Sequence, residues 1–232
     1  MTFDLKNFGL KKDYLYEIIA TSYSISNDGA VIKPNASCMG IRIIERNQIQ
    51  MSPFYSTTTY KNLKQNSIIV INFVDNVFLY AIAALKEKDS PIGFDEFPSD
   101  YYNFKYLESL TMTIPFIKKA WGILIGKVSK EFQKSKEDDL GEFILPVFSL
   151  KVIFHEKLKE SHKLFNRAEN LALESIILAT RLKVAYENKN LNLISKICEK
   201  ISENSKNVER FGRNKNALKA IELVNQYTSH FS

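Results

Sequence analysis

The spacing of apolar residues changes once along the chain, near residue 155. Before that point, short apolar runs alternate with polar turns, a pattern typical of β-strands. From Ser161 onward, apolar residues recur at intervals of three and four, which predicts helices. The pattern therefore predicts a β domain over residues 1–155 and a helical domain over residues 156–232.

Six segments of the first part have strand character, and turn residues such as Asn27-Asp28-Gly29 and Glu45-Arg46-Asn47 separate them. The predicted strands are Tyr16–Ser24, Ala36–Ile44, Gln48–Phe54, Ser67–Phe73, Trp121–Phe132 and Glu142–Phe154. Six short strands with helix-like insertions predict a small antiparallel barrel.

Two other segments interrupt these strands. The first starts at Asp75 or Asn76, ends in Lys86-Glu87-Lys88 and reads as a helix. The second, Asp89–Leu107, is rich in Tyr, Phe, Asp and Pro and predicts a long irregular stretch. Its aromatic residues either cover a flat ring or pack under a loop.

The helical part contains three periodic runs, with breaks at Glu187–Asn190 and Phe211–Arg213. Three helices of this kind predict a small bundle. The fold class predicted from the whole chain is therefore mainly β with α, a barrel followed by a C-terminal helical bundle.

Composition narrows the class of protein. The 232 residues are 45% hydrophobic and 25% charged, as in ordinary globular proteins. No apolar run reaches membrane-spanning length, and the N-terminus lacks a signal-peptide core, so we expect a cytoplasmic protein. The two cysteines and three histidines show no zinc-binding spacing, which predicts no metal site and no disulfide.

The net charge of +6 resides in the helical part. Residues 1–150 balance 17 basic against 17 acidic residues, whereas residues 151–232 carry 15 and 9. A basic helical segment binds nucleic acid or another polyanion in some proteins and forms a solvated surface in others. We expect the solvated surface and keep a polyanion-binding module as an alternative.

Candidate chemistry concentrates between Asn35 and Asp75. Four hydroxyl residues, Ser56-Thr57-Thr58-Thr59, lie between two predicted strands and precede Lys61, Asn62 and a short helical turn. Hydroxyl groups, a helix N-terminus and a nearby cation form the kind of site that binds phosphate. The same residue types also form strands and turns. Because the segment contains no glycine, it is not the glycine-rich phosphate loop of nucleotide triphosphatases.

Five segments of this chain, in order, resemble those of an archaeal-type family catalogued as domain of unknown function 447. They are Glu17–Thr21, Asp28-Gly29, Asn35–Ile41, Pro53–Thr59 with Asn62-Leu63, and Val70–Phe73. The resemblance covers roughly residues 12–155 and continues in Asn166–Glu169, Glu174 and Ala179–Arg181. One departure is visible: Ser37 and Cys38 stand where the family pattern leads us to expect alanine and proline.

This family is similar to flavin reductases, and the resemblance implies an FMN-binding split barrel. It implies that the hydroxyl run binds the FMN phosphate and that β-strand backbone meets the edge of the isoalloxazine ring. The residues implied to bind FMN are Asn35, Ala36, Ser37, Cys38, Met39, Tyr55, Ser56, Thr57, Thr58, Thr59, Lys61, Asn62 and Asn72. Core packing for Met39 and a strand-end hydrogen bond for Asn72 are the alternatives.

The resemblance also implies a homodimer with the flavin at its two-fold interface and Trp121 and Tyr55 as candidate contacts across it. It implies a flavin-reductase-like oxidoreductase whose electron donor is NAD(P)H or whose substrate is another small molecule. A non-catalytic flavin-binding dimer is the alternative, because the sequence offers no acid, base or nucleophile with an evident catalytic role. Cys38 is expected to be inert packing.

A second candidate site is a charged stripe in the first C-terminal helix. Arg167, Glu174 and Arg181 are seven residues apart, so about 10 Å separates neighbouring members. Two guanidinium groups oriented by Glu174 are suited to a phosphate or carboxylate. Ion pairs that fasten the helix to another part of the chain or to a partner are the alternative that we favour.

Overall fold

A computed structural model describes residues 8–26, 31–138, 141–161, 166–211 and 214–231. These residues form two compact units. The first contains the described residues up to Asp75, then Ser99–Glu137 and Glu142–Ser161. The second contains Asn76–Pro98 and the described residues after position 165.

The first unit is a closed antiparallel barrel of six strands, which confirms the predicted fold. The chain order of all eight strands is β1 (Leu15–Ile25), β2 (Val31–Glu45), β3 (Gln48–Met51), β4 (Ile68–Phe73), β5 (Tyr102–Leu107), β6 (Met112–Ile117), β7 (Gly122–Asp138) and β8 (Gly141–Lys157). Around the barrel the order is β1-β2-β3-β8-β7-β4, and β4 returns to β1. The strand β3 ends at Met51, three residues earlier than predicted, because Pro53 has no N–H for a ladder.

The barrel interior is filled by alternate residues of each strand. Ile18 and Ala20 of β1 point to the same side as their neighbours in β2 and β4. Together with Ile41, Ile71 and Phe148, they belong to one buried apolar cluster. Leu63, in the helix between β3 and β4, also belongs to that cluster, so this helix covers part of the barrel core.

The strand β5 corrects the end of the irregular stretch predicted at Asp89–Leu107. The strands β5 and β6 pair with each other in a separate two-stranded sheet, from Tyr102 opposite Ile117 to Leu107 opposite Met112. Apolar and polar residues do not alternate along β5, because its two ends are buried and Asn103, Phe104 and Tyr106 are exposed.

Five helices are present in the described part of the chain: α1 (Thr58–Asn66), α2 (Val77–Leu85), α3 (Arg167–Glu187), α4 (Leu191–Phe211) and α5 (Lys215–Thr228). The three predicted C-terminal helices are confirmed. Asn166 and Asn214 cap α3 and α5 through side-chain oxygens that accept backbone N–H bonds. None of these five helices has the length and apolar content that a membrane crossing requires.

The second unit contains α2 as well as the C-terminal helices, so it differs from the continuous division predicted at residue 155. The sequence of α2, VFLYAIAAL, is apolar on nearly every side, and such a helix needs neighbours all round. It packs against α3 and α5. After its end, the Glu87 carboxylate accepts an ion-pair hydrogen bond from Lys183 of α3. The predicted domain boundary itself stays a prediction.

Candidate functional site

The hydroxyl run forms the N-terminus of α1. Thr57 is the N-cap: its Oγ1 accepts a hydrogen bond from the Tyr60 N–H at 3.2 Å and donates to the Phe54 carbonyl at 2.7 Å. The first-turn N–H groups of Thr58 and Thr59 have no partner within the helix, because the carbonyl four residues before each of them lies outside the helix. The side chains of Ser56, Thr58 and Lys61 are exposed around this end. The arrangement supplies hydroxyl groups, backbone amides and a cation to an anion.

Thr59 points the other way and connects α1 to β2. Its side chain is 1% exposed, and its Oγ1 lies 2.8 Å from the Ser37 Oγ. Asn35 donates to the same Oγ1 from Nδ2 at 3.4 Å. One turn later, the buried Asn62 donates from Nδ2 to the Ser22 Oγ of β1 at 3.1 Å. We call these five residues (Ser22, Asn35, Ser37, Thr59 and Asn62) the α1 seat.

Four of the five seat residues were predicted as site residues, and Ser22 was missed. Ser22 is fully buried and follows Ile18 and Ala20 at intervals of two, so it occupies an inward position of β1. A polar residue at such a position needs a hydrogen-bond partner, so the serine at an inward position of β1 was the sequence signal that could have identified Ser22. The identity of that partner depends on the register between β1 and α1, which the sequence does not contain.

One backbone edge of β2 is left without a strand next to the seat. The strand β1 pairs along the whole of residues 31–42, whereas the described pairing with β3 begins at Ile41 and ends at Glu45. Along Asn35–Gly40, the second edge of β2 therefore has no strand partner among the described residues. A strand edge that no neighbouring strand covers is suited to a ligand with alternating donors and acceptors.

The side chains of the predicted ring strand are divided between two faces. Asn35, Ser37 and Met39 share the inner face, where Met39 packs against the core cluster. Ala36 and Cys38 share the opposite face, with Ala36 fully buried and Cys38 half-buried. One ligand therefore meets these residues through the backbone edge rather than through all five side chains.

Asn72 is committed to hydrogen bonds within the protein. The side chain is fully buried, and its Nδ2 donates to the Ile19 carbonyl at 2.8 Å and to the Thr21 Oγ1 at 2.9 Å. Its Oδ1 accepts the Ile117 N–H at 2.8 Å. These bonds join β4 to β1 and β6, and they favour the structural alternative for Asn72 over contact with a cofactor.

The two aromatic candidates for an interface differ in position. Tyr55 is 39% exposed, packs edge-on against Tyr60, and accepts a hydrogen bond at its hydroxyl from the Gln133 Nε2 at 3.0 Å. Trp121 instead stacks on Phe73, with 5.0 Å between ring centroids, and packs against the barrel core. Tyr55 is therefore available at the surface, whereas Trp121 is largely occupied inside its own chain.

A groove of about 700 Å³ opens beside β2. We call it the β2 groove. Met39 and Gly40 of β2 line it, as does Phe54, whose carbonyl accepts the Thr57 hydroxyl. The groove thus adjoins both the predicted ring strand and the loop that leads into the hydroxyl run.

A carboxyl group lies against Gly40. Glu17 of β1 pairs directly with Gly40, and a Cβ added at this glycine would lie 3.5 Å from the Glu17 Oε1. Burial raises the pKa of the Glu17 carboxyl above its usual range, because desolvation penalises its charged form. Glu17 belongs to one of the five resembling segments, but it was not predicted as a site residue.

The three residues of the charged stripe on α3 are spread along the helix and do not meet at one point. Arg167 stacks its guanidinium over the Phe211 ring at 4.8 Å, and Glu174 is exposed. Arg181 is half-buried two turns further along the helix. The anion-site and ion-pair interpretations of this stripe both stay predictions.

The described residues contain no group of three or more His, Cys, Asp or Glu side chains placed to bind a metal ion.

Comparison with known proteins finds a family model that matches part of the chain. Residues 16–116 match the family model described as "Protein of unknown function (DUF447) N-terminal domain". A search of curated proteins found no match. The structure is similar to a crystal structure of an FMN-bound DUF447 protein from Methanosarcina mazei, with a TM-score of 0.72 and 19% identity; the match covers 97% of this chain and 100% of that one.

Two flavin reductases have lower similarity. One, complexed with NADP+, has a TM-score of 0.44 and 15% identity over 68% of this chain and 87% of its own. The other, the styrene monooxygenase flavin reductase from Pseudomonas putida S12, has a TM-score of 0.42 and 13% identity over 62% and 82%. The predicted resemblance is confirmed: residues 16–116 of this chain match the family model of the DUF447 N-terminal domain.

Proposed function

We propose that the protein is an FMN-binding flavoprotein and a flavin-reductase-like oxidoreductase. One observation carries the proposal: the open edge of β2 lies beside the N-terminus of α1, and the 2.8 Å contact between Ser37 and Thr59 connects the two. The proposed phosphate site and the proposed site for the ring edge would therefore lie next to each other. The similar fold of an FMN-bound protein supports the same cofactor.

The residues around α1 fit the FMN phosphate. The exposed hydroxyls of Ser56 and Thr58 and the N–H groups of Thr58 and Thr59 would donate to its oxygens, with Lys61 as the nearby cation. The Thr57 hydroxyl is already used as the N-cap, and the Thr59 hydroxyl belongs to the α1 seat. Of the four hydroxyl residues, two would therefore bind the phosphate and two would position the helix.

The backbone of Asn35–Gly40 fits the polar edge of the isoalloxazine ring. Backbone N–H and C=O groups there would hydrogen-bond the pyrimidine part, and Met39 would place an apolar side chain near it. When bound, the flavin supplies hydride transfer at its ring, and the protein orients the ring and restricts access of water. The exposed Tyr55 would complete the site across the interface of a homodimer.

A comparison of FMN with riboflavin tests the phosphate assignment. We expect the Thr58→Val variant to raise the Kd for FMN about tenfold or more, because a hydrogen bond to a charged group contributes about 1.5–3 kcal/mol. Riboflavin, which has no phosphate, should bind the variant and the wild type equally. Quenching of flavin fluorescence measures both constants.

Thr113→Val provides the matched control, because Thr113 is an exposed threonine in β6. This control should bind FMN like the wild type. Equal losses of FMN and riboflavin in Thr58→Val would contradict the phosphate assignment. Protein that stays colourless and does not bind added FMN would disprove the cofactor.

Oxidation of NADH or NADPH by the FMN-loaded protein tests the reaction. Turnover that depends on added FMN supports the oxidoreductase. A flavoprotein that binds FMN but oxidises neither dinucleotide would favour the non-catalytic alternative. Sedimentation of the loaded protein measures whether it is the proposed homodimer.

A further inference from the structure

One carboxylate of β7 holds two residues of α1. The Glu131 Oε1 accepts a hydrogen bond from the Tyr60 hydroxyl at 3.2 Å, and its Oε2 accepts one from the Lys64 Nζ at 2.7 Å. Tyr60 and Lys64 are about one turn apart, so they lie on the same side of the helix. Because Glu131 has a separate oxygen for each partner, both bonds form at once and attach α1 to this strand.

The next residue on the same side of β7 holds the loop before α1. Gln133 follows Glu131 at an interval of two, and its Nε2 donates to the Tyr55 hydroxyl at 3.0 Å. The Tyr55 ring in turn packs edge-on against the Tyr60 ring, with 5.0 Å between the ring centroids. The loop and the helix are therefore attached to the same strand and to each other. We call Glu131 and Gln133 the β7 clamp.

The β7 clamp and the α1 seat hold different sides of the helix. Successive residues of an α-helix turn by about 100° around its axis. Tyr60 and Lys64 therefore lie about 100° and about 140° from Thr59, whereas Asn62 lies about 60° from Thr59 in the other direction. A helix attached along one line is free to rotate about that line, and a second attachment on another side prevents the rotation. The seat and the clamp together thus fix how α1 is turned.

The side of α1 that these contacts leave accessible carries Thr58 and Lys61. Both side chains are exposed, and they lie about 100° and about 160° from Thr59, beyond Asn62 and away from Tyr60. The two attachments therefore determine the direction in which the Thr58 hydroxyl and the Lys61 ammonium face. The clamp adds little net charge to this end of the helix, because the Lys64 ammonium compensates the Glu131 carboxylate.

We propose that Glu131 is a positioning residue for the phosphate site: by holding Tyr60 and Lys64 it turns α1 so that Thr58 and Lys61 meet a phosphate group. Gln133 supports the same arrangement by holding the loop through Tyr55. The inference rests on the proposed function in one respect, because it takes the phosphate to be that of FMN. Glu131 itself does not contact the phosphate and acts through α1.

Replacement of Glu131 distinguishes positioning from a simple charge effect, because the two roles predict opposite signs. A carboxylate that merely lies near a phosphate repels it, so its removal would strengthen FMN binding. If Glu131 positions α1, Glu131→Ala should instead raise the Kd for FMN about fivefold. The Kd for riboflavin, which has no phosphate, should stay unchanged. Quenching of flavin fluorescence measures both constants.

Two further variants complete the experiment. Glu131→Gln keeps an acceptor oxygen for the Tyr60 hydroxyl, so it should bind FMN more tightly than Glu131→Ala. Glu137→Ala removes an exposed glutamate near the end of the same strand and should bind both flavins like the wild type. Urea unfolding of Glu131→Ala should stay close to that of the wild type, because Lys64 and Glu131 are both accessible to solvent.

Three outcomes would overturn the proposal. The Kd for FMN is unchanged or lower in Glu131→Ala, so that the residue acts as a charge or not at all. FMN and riboflavin lose affinity equally, so that the effect does not concern the phosphate. Alternatively, Glu137→Ala weakens FMN binding as much as Glu131→Ala does, so that the contacts of Glu131 with α1 are not the cause.

Calorimetric titration with inorganic phosphate separates this proposal from the proposed function. If the wild type binds phosphate but not FMN, and Glu131→Ala weakens phosphate binding, the positioning role stands and the flavin assignment fails. If FMN binding depends on Thr58 but not on Glu131, the flavin assignment stands and the positioning role fails. A wild type that binds neither phosphate nor FMN would overturn both.

Discussion

The α1 seat and the stripe on α3 are both sets of polar residues singled out from the sequence, but they differ in geometry. Ser37 and Thr59 are 22 positions apart, and their hydroxyl oxygens lie 2.8 Å from each other in the barrel unit. Arg167, Glu174 and Arg181 follow a regular spacing along one helix, which keeps neighbouring members about 10 Å apart. Regular spacing within a helix aligns side chains, whereas convergence needs a second element that folds back.

The comparison predicts that buried, convergent polar residues determine stability and that the aligned stripe does not. Substitutions at Asn72, at Thr59, at Glu17 and in the stripe test this prediction, in order of decreasing expected effect.

Asn72→Leu should have the largest effect. The variant leaves the Ile117 N–H and the Thr21 hydroxyl without their buried partner, which costs about 2–4 kcal/mol of unfolding free energy. Urea unfolding measures this loss, with the exposed Asn103→Leu as the control. Unchanged stability together with weakened FMN binding would contradict the structural role and support the predicted contact of Asn72 with the cofactor.

Thr59→Val should rank second. Valine keeps the shape of threonine but removes the acceptor and donor that meet Ser37 and Asn35, so we expect a loss of about 1–3 kcal/mol in urea unfolding. Thr58→Val is the neighbouring control, and its exposed side chain should change stability by less than about 0.5 kcal/mol. Equal effects of the two substitutions would remove the distinction between seat and phosphate residues.

Glu17→Gln should have a smaller effect that depends on pH. Because burial raises the folded-state pKa of Glu17 above the unfolded value, the folded protein binds the extra proton between the two values, and wild-type stability falls as pH rises through that interval. We expect Glu17→Gln to increase the Tm relative to the wild type at pH 7. The difference should become small at about pH 4, where the carboxyl is largely protonated in both states.

Glu174→Gln is the control for this pH series, because Glu174 is an exposed carboxylate on α3. The same Tm difference at pH 4 and pH 7 in Glu17→Gln would show that ionisation of Glu17 does not influence folding.

Substitutions in the stripe should have the smallest effect. Glu174→Ala should change the unfolding free energy by less than about 0.5 kcal/mol, and Arg167→Ala by about 0.5–1 kcal/mol, because Arg167 also stacks on Phe211. A loss in Glu174→Ala as large as in Thr59→Val would contradict the comparison. Such a result would favour an ion-pair network through Glu174.

Elements with a clear period were predictable from the sequence, and contacts between distant elements were not. The barrel strands and the C-terminal helices agree with the prediction, because turn residues and helix caps mark where they begin and end. The strands β5 and β6 were missed because burial does not alternate along β5. The grouping of α2 with the C-terminal helices depends on long-range packing that its apolar composition allows but does not specify.

The candidate site shows the same division. The family resemblance identified Asn35, Ser37, Thr59 and Asn62, but neither their mutual hydrogen bonds nor the opposite orientations of Thr58 and Thr59. The β2 groove was not predicted, because Lys134 and Lys136 of its lining belong to a lysine-rich strand that resembles a solvated surface. Only the closure of the barrel brings that strand to the groove lined by β2.

The pairing of β3 with β8 has a consequence for folding. Met51 lies opposite Phe148, so about 100 residues must be synthesised and arranged before this part of the barrel can close. By contrast, the hairpin of β1 and β2 needs only neighbouring residues. On the ribosome, the first half of the chain would emerge with an unpaired edge at β3, and folding of the barrel would wait for its last strand.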